Sequence, residues 1–194
     1  MPPIVYYVHG AGATRLSFRW LIDRLPVHTV QYFDYHTDEG LSPCIDRLGK
    51  TVAVGPPCVV VGHSLGGVIA AAMAPLPPVQ GVVSICAPFA GLPSATLLAM
   101  LRPNQLFRDV SSLNPALRRI REGVVEHKKP HLAIVGDYGL PLCGSDNDGV
   151  VPVESQMAIP GLPYSMFNLN HFEVLLSSDV SIVIDTFLQN IWTQ

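Results

Sequence analysis

The sequence predicts an α/β fold, a three-layer α/β/α sandwich around a mostly parallel six-stranded sheet. Two observations support this prediction. Short runs of β-branched and aromatic residues alternate along the chain with longer segments of helical character. Several of the short runs are apolar on both faces, as in strands that helices cover on each side. Such alternation favours an open sheet whose strands are joined by right-handed crossovers.

The first part of the chain supplies two strands and two helices. PIVYYV (3–8) and TVQYFDY (29–35) combine β-branched with aromatic residues, which is the composition of strands. SFRWLIDRL (17–25) and LSPCIDRLGKTVA (41–53) follow these runs and mix apolar with charged residues over a helical length. We therefore expect strand and helix to alternate up to residue 53.

The middle of the chain continues this alternation. CVVVG (58–62) is a short apolar strand, and the alanine-rich segment LGGVIAAAMA (65–74) is a helix. The prolines directly after this helix end it and do not separate two domains. VQGVVSICA (79–87) is then the fourth strand.

The last part of the chain completes the predicted sheet. NPALRRIREGV (114–124) is a helix, and HLAIVG (131–136) and YSMFNL (164–169) are the fifth and sixth strands. The C-terminal segment DVSIVIDTFLQNIW (179–192) has apolar residues at the 3.6-residue spacing of one helix face. It is the last predicted helix.

Length and patterning favour one domain over residues 1–194. The chain is 48% hydrophobic, which suits a single sizeable core. It contains no internal repeat, low-complexity tract or linker. Residues 88–125 form the least regular part, which we expect to be a small lid or a pocket-lining segment. A surface helix packed on the sheet is the alternative.

Composition argues against several classes of function. A net charge of −3 without any long basic stretch gives no reason to expect nucleic acid or an anionic membrane as partner. The longest apolar run, residues 68–76, is far below the roughly 20 residues of a membrane span. The N-terminus lacks signal-peptide features, so we expect a cytoplasmic protein, with a mature secreted chain as the alternative. Four cysteines without CxxC spacing favour neither disulfides nor a metal site.

One serine stands in a pattern typical of a nucleophile. Gly62-His63-Ser64-Leu65-Gly66 fits G-x-S-x-G and lies between a valine-rich strand and an alanine-rich helix. A nucleophile elbow needs this strand–turn–helix context, because small residues around the serine let the backbones approach closely. The N-terminus of the helix behind it offers N–H groups to a developing oxyanion. A structural serine in a turn is the alternative.

These motifs give the chain a resemblance to the α/β-hydrolases, in particular to small bacterial lipases and esterases without a large cap domain. The resemblance runs from VHGAGA near the start to NHFEVLL near the end, in the order of that family. It implies a minimal α/β-hydrolase fold. It also implies an oxyanion hole formed by the backbone N–H groups of Ala11, in the His9-Gly10-Ala11-Gly12 loop, and of Leu65 after the serine.

The catalytic base is expected to be His171, which follows the last strand in Asn170-His171-Phe172-Glu173. The other six histidines fit this role less well. His9 lies in the glycine loop, and His63 lies inside the elbow, where its ring would point away from Ser64. His28 and His36 flank an early strand that precedes the nucleophile. His127 and His131 lie beside two lysines in what we expect to be a solvated connection.

The catalytic acid is expected to be Asp148. Asp148-Gly149-Val150-Val151-Pro152 matches a D-x-x-V-P pattern that carries the acid in many members of the family it resembles. Asp146 is the close rival and Asp137 a weaker one. Turn formation is the structural alternative for such a run, in which Asp and Asn side chains bond their own backbone. The order Ser64, Asp148, His171 is that of the α/β-hydrolases.

The predicted function is the hydrolysis of carboxylic esters through an acyl-enzyme on Ser64. A small-molecule ester or a lipid is the expected substrate, and no cofactor or metal is expected, since Asp146 and Asn147 alone are too few oxygen ligands for calcium. An acyltransferase or thioesterase with the same triad is the first alternative. A non-catalytic ligand-binding protein of hydrolase fold is the second. The sequence is compatible with a monomer and does not determine the oligomeric state.

The residues that bind the substrate are expected in the irregular segment. An apolar cluster after the fourth predicted strand would line an acyl pocket or form a lid, and a surface helix is the equal alternative. We take Phe89, Leu97 and Met100 as candidates for contact with the acyl group.

Overall fold

The computed structural model describes residues 3–92, 105–139 and 146–193. Six strands form one sheet in the order β2-β1-β3-β4-β5-β6, and all five neighbouring pairs are parallel. This confirms the α/β class and the six strands that the sequence predicts. The strands are β1 (Ile4–Val8), β2 (Thr29–Phe33), β3 (Cys58–His63), β4 (Val79–Ile85), β5 (His131–Gly136) and β6 (Tyr164–Phe167).

Helices connect the strands on both sides of the sheet. The α-helices of the described residues are α1 (Arg19–Ile22), α2 (Leu41–Ala53), α3 (Leu65–Ala71), α4 (Gln105–Asp109), α5 (Pro115–His127), α6 (Val153–Gln156) and α7 (Ser178–Trp192). Short 3₁₀ helices lie at Arg15–Phe18, Thr37–Glu39 and Glu173–Leu176. Within the described ranges, no helix has the length and apolarity to cross a bilayer.

Two predicted helices are shorter than expected. The predicted helix 17–25 is a 3₁₀ turn followed by the single turn of α1, and the predicted helix 65–74 ends as α3 at Ala71. After both helices the backbone N–H groups bond carbonyls three residues back, as in Leu25 to Ile22 and Ala74 to Ala71. Both turns precede a proline, which disfavours helical backbone in the residue before it.

The core has two halves that share the sheet. Successive strand residues point to opposite faces, so Val60 contributes to one face and its neighbours Val59 and Val61 to the other. The first half packs against α2, α3 and α5. The second half packs against α1 and α7. This arrangement is the three-layer sandwich.

The parallel strands bring their carboxyl ends to one edge of the sheet. The glycine loop follows β1, Ser64 follows β3, and the segment containing Asp148 comes after β5. His171 lies beyond the end of β6. Because parallel strands share one polarity, residues far apart in the sequence converge at this edge.

Candidate active site

Ser64 occupies a strained turn between β3 and α3. Its backbone angles are φ 55° and ψ −125°, a conformation that costs about 1–3 kcal/mol in a residue with a side chain. The Ser64 N–H donates to the carbonyl of Ile85 at 2.8 Å, which ties the turn to β4. A Cβ on Gly66 would overlap the carbonyl oxygens of Val8 and His9, so the close approach of β1 requires glycine there.

Two backbone N–H groups beside Ser64 have no acceptor within the described part of the chain. They belong to Leu65, the first residue of α3, and to Ala11 in the glycine loop. The first N–H groups of a helix have no intrahelical acceptor, which explains the free group of Leu65. In contrast, the Gly12 N–H donates to Thr37 Oγ1 at 2.9 Å.

The glycine loop is held from behind by Tyr35. The Tyr35 ring stacks on His9 with centroids 4.6 Å apart, and its hydroxyl donates to the His9 carbonyl at 3.0 Å. The His9 Nδ1–H donates in turn to the Gly10 carbonyl at 2.9 Å. These bonds keep the peptides before Ala11 in one orientation.

Asp148 and His171 form a buried hydrogen-bonded pair. The His171 Nδ1–H donates to Asp148 Oδ2 at 2.7 Å, and the His171 backbone N–H donates to the Asp148 carbonyl at 2.8 Å. The other carboxylate oxygen, Oδ1, accepts the N–H groups of Val150 at 2.9 Å and Val151 at 2.6 Å. Burial raises the pKa of Asp148, but the bond and charge of His171 and these two N–H groups outweigh it, so the pKa is lowered. Asp148 is therefore an ionised acceptor.

Within the described part of the chain, neither rival carboxylate bonds His171. Asp146 is exposed, and its backbone carbonyl accepts the Val153 N–H at 2.9 Å. Asp137 Oδ1 accepts from the Asn168 amide at 3.0 Å. Of these aspartates, Asp148 is the one that His171 contacts.

Ser64 and His171 line the same cavity of about 250 Å³. Among the contacts of the described residues, no hydrogen bond joins Ser64 Oγ to the imidazole. Such bonds are often long without substrate and shorten when one binds. Ala11 and Leu65 line this cavity as well. The structure thus brings together all five residues that the sequence predicts for the reaction.

Apart from Ser64, His171 and His63, the side chains of the described wall are apolar. No Asp, Glu, Lys or Arg side chain occurs among the lining residues that the structure describes. Much of one side comes from α4 and the residue after it, through Leu106, Phe107 and Val110. The remaining apolar lining residues are Ala13, Pro88, Leu92, Val150, Val151 and Phe172.

The three residues expected to contact the acyl group are not among those that the structure places in the cavity wall. Phe89 is 1% exposed, belongs to the core, and meets His131 edge-on at 6.2 Å between ring centroids. It is absent from the described cavity wall, because its side chain packs into the core below the sheet edge. Leu97 and Met100 lie outside the described residues.

Two histidines have partners that the sequence did not indicate. The His63 Nε2–H donates to the His171 carbonyl at 2.8 Å, a contact between residues 108 positions apart. His131 was expected in a solvated connection, and this is wrong. It begins β5, is buried, and its Nε2 lies 2.8 Å from Ser84 Oγ, because both faces of this strand are covered. Burial lowers the pKa of His131 to about 3.

One group of three side chains in the described ranges has donor atoms close enough to hold a metal ion. It consists of Cys86, Asp148 and His171, with donor atoms within 4.8 Å of one another. Burial, followed by the charge of Asp148, raises the pKa of the Cys86 thiol well above its usual value. A thiol binds metal as thiolate, so a protonated Cys86 does not favour a metal here.

Comparison with known proteins agrees with this geometry. The model of the alpha/beta hydrolase family matches residues 5–173. A search of curated protein sequences found no match.

Solved structures share the fold at low sequence identity. The mature lipase BlEst2 of Bacillus licheniformis has a TM-score of 0.73 at 15% identity, with 98% of this chain and 91% of that chain covered. A monoacylglycerol lipase of Paleococcus ferrophilus has a TM-score of 0.73 at 17% identity, with 98% and 96% covered. A lipase-esterase related protein of Clostridium acetobutylicum has a TM-score of 0.69 at 16% identity, with 98% and 94% covered.

Proposed function

Because the chain belongs to the alpha/beta hydrolase family, we propose that it is a serine hydrolase that cleaves carboxylic esters through an acyl-enzyme on Ser64. One observation carries this proposal: His171, which bonds the buried carboxylate of Asp148, faces the same largely apolar cavity as a serine in a strained turn. Strained backbone persists where the surroundings enforce it, often at a reactive residue. Lipases and esterases among the solved structures of this fold support the choice of substrate class.

The proton transfers follow from the tautomer of His171. An ionised carboxylate only accepts hydrogen bonds, so the contact with Asp148 places the imidazole proton on Nδ1. Nε2 is then free to take the proton of Ser64 as Oγ attacks the ester carbonyl. Protonated Nε2 gives this proton to the leaving alcohol. Water attacks the acyl-enzyme next, with Nε2 again as base.

The free N–H groups of Ala11 and Leu65 would stabilise the negative oxygen that forms in each step. Both groups are fixed before the substrate arrives, one by the start of α3 and the other by the loop that Tyr35 holds. In measured cases one such donor contributes about 2.7–4 kcal/mol to lowering the barrier.

The cavity supports an uncharged, apolar acyl group as substrate. Its described wall offers aliphatic and aromatic side chains and no formal charge, so a charged acyl group would lose hydration without compensation. Leu106, Phe107 and Val110 belong to the irregular segment 88–125, so we propose that this segment lines the acyl site. We further propose that residues 1–194 form a single domain.

A series of p-nitrophenyl esters from acetate to palmitate tests the proposal. We expect hydrolysis by the wild-type protein, loss of turnover in Ser64→Ala, and unchanged turnover in the matched control Ser178→Ala, which alters an exposed serine. The chain length of maximal activity reports the length of the acyl site. Absence of Ser64-dependent turnover across the series would refute ester hydrolysis. Thioesters, acyl transfer to an added alcohol and plain ligand binding would then be examined.

A further inference from the structure

We propose that His63, inside the elbow, is a positioning residue that fixes the main chain carrying the base His171. This inference rests on the proposed function, since it assigns how that base is held. His63 precedes Ser64 directly and is buried. Its ring lies 4.7 Å from the His171 ring between centroids, at an interplanar angle of 48°.

The hydrogen bond between the two residues determines the tautomer of His63. The partner of His63 Nε2 is the His171 carbonyl oxygen, at 2.8 Å. A carbonyl can only accept, so Nε2 carries the proton and Nδ1 does not. His63 is therefore a donor to the base loop and has no proton left for the cavity.

This bond completes the restraint on the peptide groups of His171. The His171 N–H donates to the Asp148 carbonyl at 2.8 Å, its carbonyl accepts from His63, and its Nδ1–H donates to Asp148. The acid loop thus holds the N–H and the side chain, whereas the elbow holds the carbonyl. Without His63 the carbonyl would lose its partner, and the peptide could rotate and carry Nε2 away from Ser64.

His63 also contacts the glycine loop. A Cβ placed on Gly10 would lie 3.2 Å from His63 Nδ1 and 3.1 Å from Ser64 Cβ. The imidazole of His63 therefore packs between the glycine loop, which contains Ala11, and His171. One rigid ring sets the distance between these two parts of the site.

The ring stays neutral while the base changes charge. Burial and then the charge of His171 lower the pKa of His63 to about 3, against smaller opposing effects of the bond to His171 and of Asp148. His171 and Asp148 are the charged or titratable groups that act on it. A neutral His63 does not compete with His171 for the proton of Ser64.

Three substitutions separate positioning from simple packing. His63→Gln can place an amide N–H where Nε2 lies, His63→Asn places one only near Nδ1, and His63→Leu supplies no donor. We expect Asn and Leu to lower kcat on a p-nitrophenyl ester by about 10–100-fold, since misplacement of a catalytic group by about 1 Å costs about 100-fold. We expect KM within about twofold of wild type, because the cavity wall is otherwise unchanged, and kcat of the Gln variant within about fivefold.

Thermal unfolding of each variant accompanies the kinetics. Equal kcat in the Gln, Asn and Leu variants, or a loss that follows unfolding temperature alone, would overturn the proposal. Ester turnover by the wild-type protein is measured in the same experiment. A wild-type protein without turnover would contradict the proposed function. An active wild-type protein whose variants have equal kcat, with or without a donor at this position, would contradict only the role of His63.

The wild-type protein gives a second test if the variants fail to fold. Long-range ¹H–¹⁵N spectra of the imidazoles report which ring nitrogen is protonated. We expect His63 as the neutral Nε2–H tautomer from about pH 5 to about pH 9, because its ordinary pKa of about 6.5 is strongly lowered by burial. A His63 that titrates near neutrality, or that carries its proton on Nδ1, would overturn the assignment.

Discussion

Replacing Asp148 by asparagine is the most informative single change at this site. Oδ1 accepts the backbone N–H groups of Val150 and Val151, so the asparagine oxygen has to occupy that position. Its NH₂ group then takes the place of Oδ2 and faces His171 Nδ1. Two donors cannot bond each other. The imidazole proton therefore has to lie on Nε2. A protonated Nε2 cannot accept the proton of Ser64.

The magnitude follows from these contacts. The variant loses the 2.7 Å charge-assisted bond to His171, the correct tautomer, and the carboxylate that stabilises the imidazolium. In the best-studied serine triad the same change lowers kcat by about 10⁴-fold, or about 5 kcal/mol. We expect a similar loss here, with a KM change below about threefold because Asp148 lies behind the base and outside the described cavity wall.

The assay is steady-state hydrolysis of a p-nitrophenyl ester by Asp148→Asn and by the matched control Asp146→Asn. Asp146 is exposed and contributes its backbone carbonyl to the loop, so its variant should stay within about twofold of wild type, as expected for a surface change. Asp148→Asn with more than a tenth of wild-type kcat, or a greater loss in Asp146→Asn, would refute this account of the acid.

Three further predictions concern stability and reactivity. Gly66→Ala should lower the free energy of unfolding in urea by about 3 kcal/mol or more, because its Cβ would overlap the carbonyl oxygens of Val8 in β1 and of His9 after it. Gly49→Ala in α2 should instead raise the free energy of unfolding by about 0.5–1 kcal/mol. Equal effects of the two substitutions would contradict the packing described. The lowered pKa of Asp148 means that its contribution to stability is present above its unfolded pKa of about 3.9 and is lost as pH falls through the folded value. Urea midpoints should therefore fall less steeply with acidification in Asp148→Asn than in wild type, and parallel profiles would refute this. Burial raises the pKa of Cys44 and Cys58 to about 11. At about pH 8 both thiols should therefore react with Ellman's reagent about 100-fold more slowly than in the unfolded chain. Fast labelling of either thiol would contradict its burial.

The fold could be predicted to the extent that each segment carries its own pattern. The helix predicted at 41–53 has the same bounds as α2, whose buried residues Leu41, Cys44, Leu48 and Val52 lie along one face. The ends of α1 and α3 were missed, since the shift to tighter turns before a proline depends on single hydrogen bonds.

The candidate site shows the same division between local and distant information. Ser64, Asp148 and His171 each lie in a short motif, so a chain order and a family resemblance were enough to select them. The bond from His63 to the His171 carbonyl links the end of β3 to a loop far away in the sequence, and no local pattern predicts it. The lysines beside His131 suggest exposure, whereas His131 is buried because it belongs to β5, in which all six residues are buried on both faces of the strand.

The central claim is that Ser64 is the nucleophile of an acyl-transfer site, and its most direct test is covalent labelling. The intact mass of the protein would be measured after incubation with a fluorophosphonate, for wild type, Ser64→Ala and Ser178→Ala. The account predicts one adduct per chain in wild type and in Ser178→Ala, located on Ser64 by peptide mapping, and none in Ser64→Ala. An unlabelled wild-type protein, or an adduct that persists in Ser64→Ala, would contradict it.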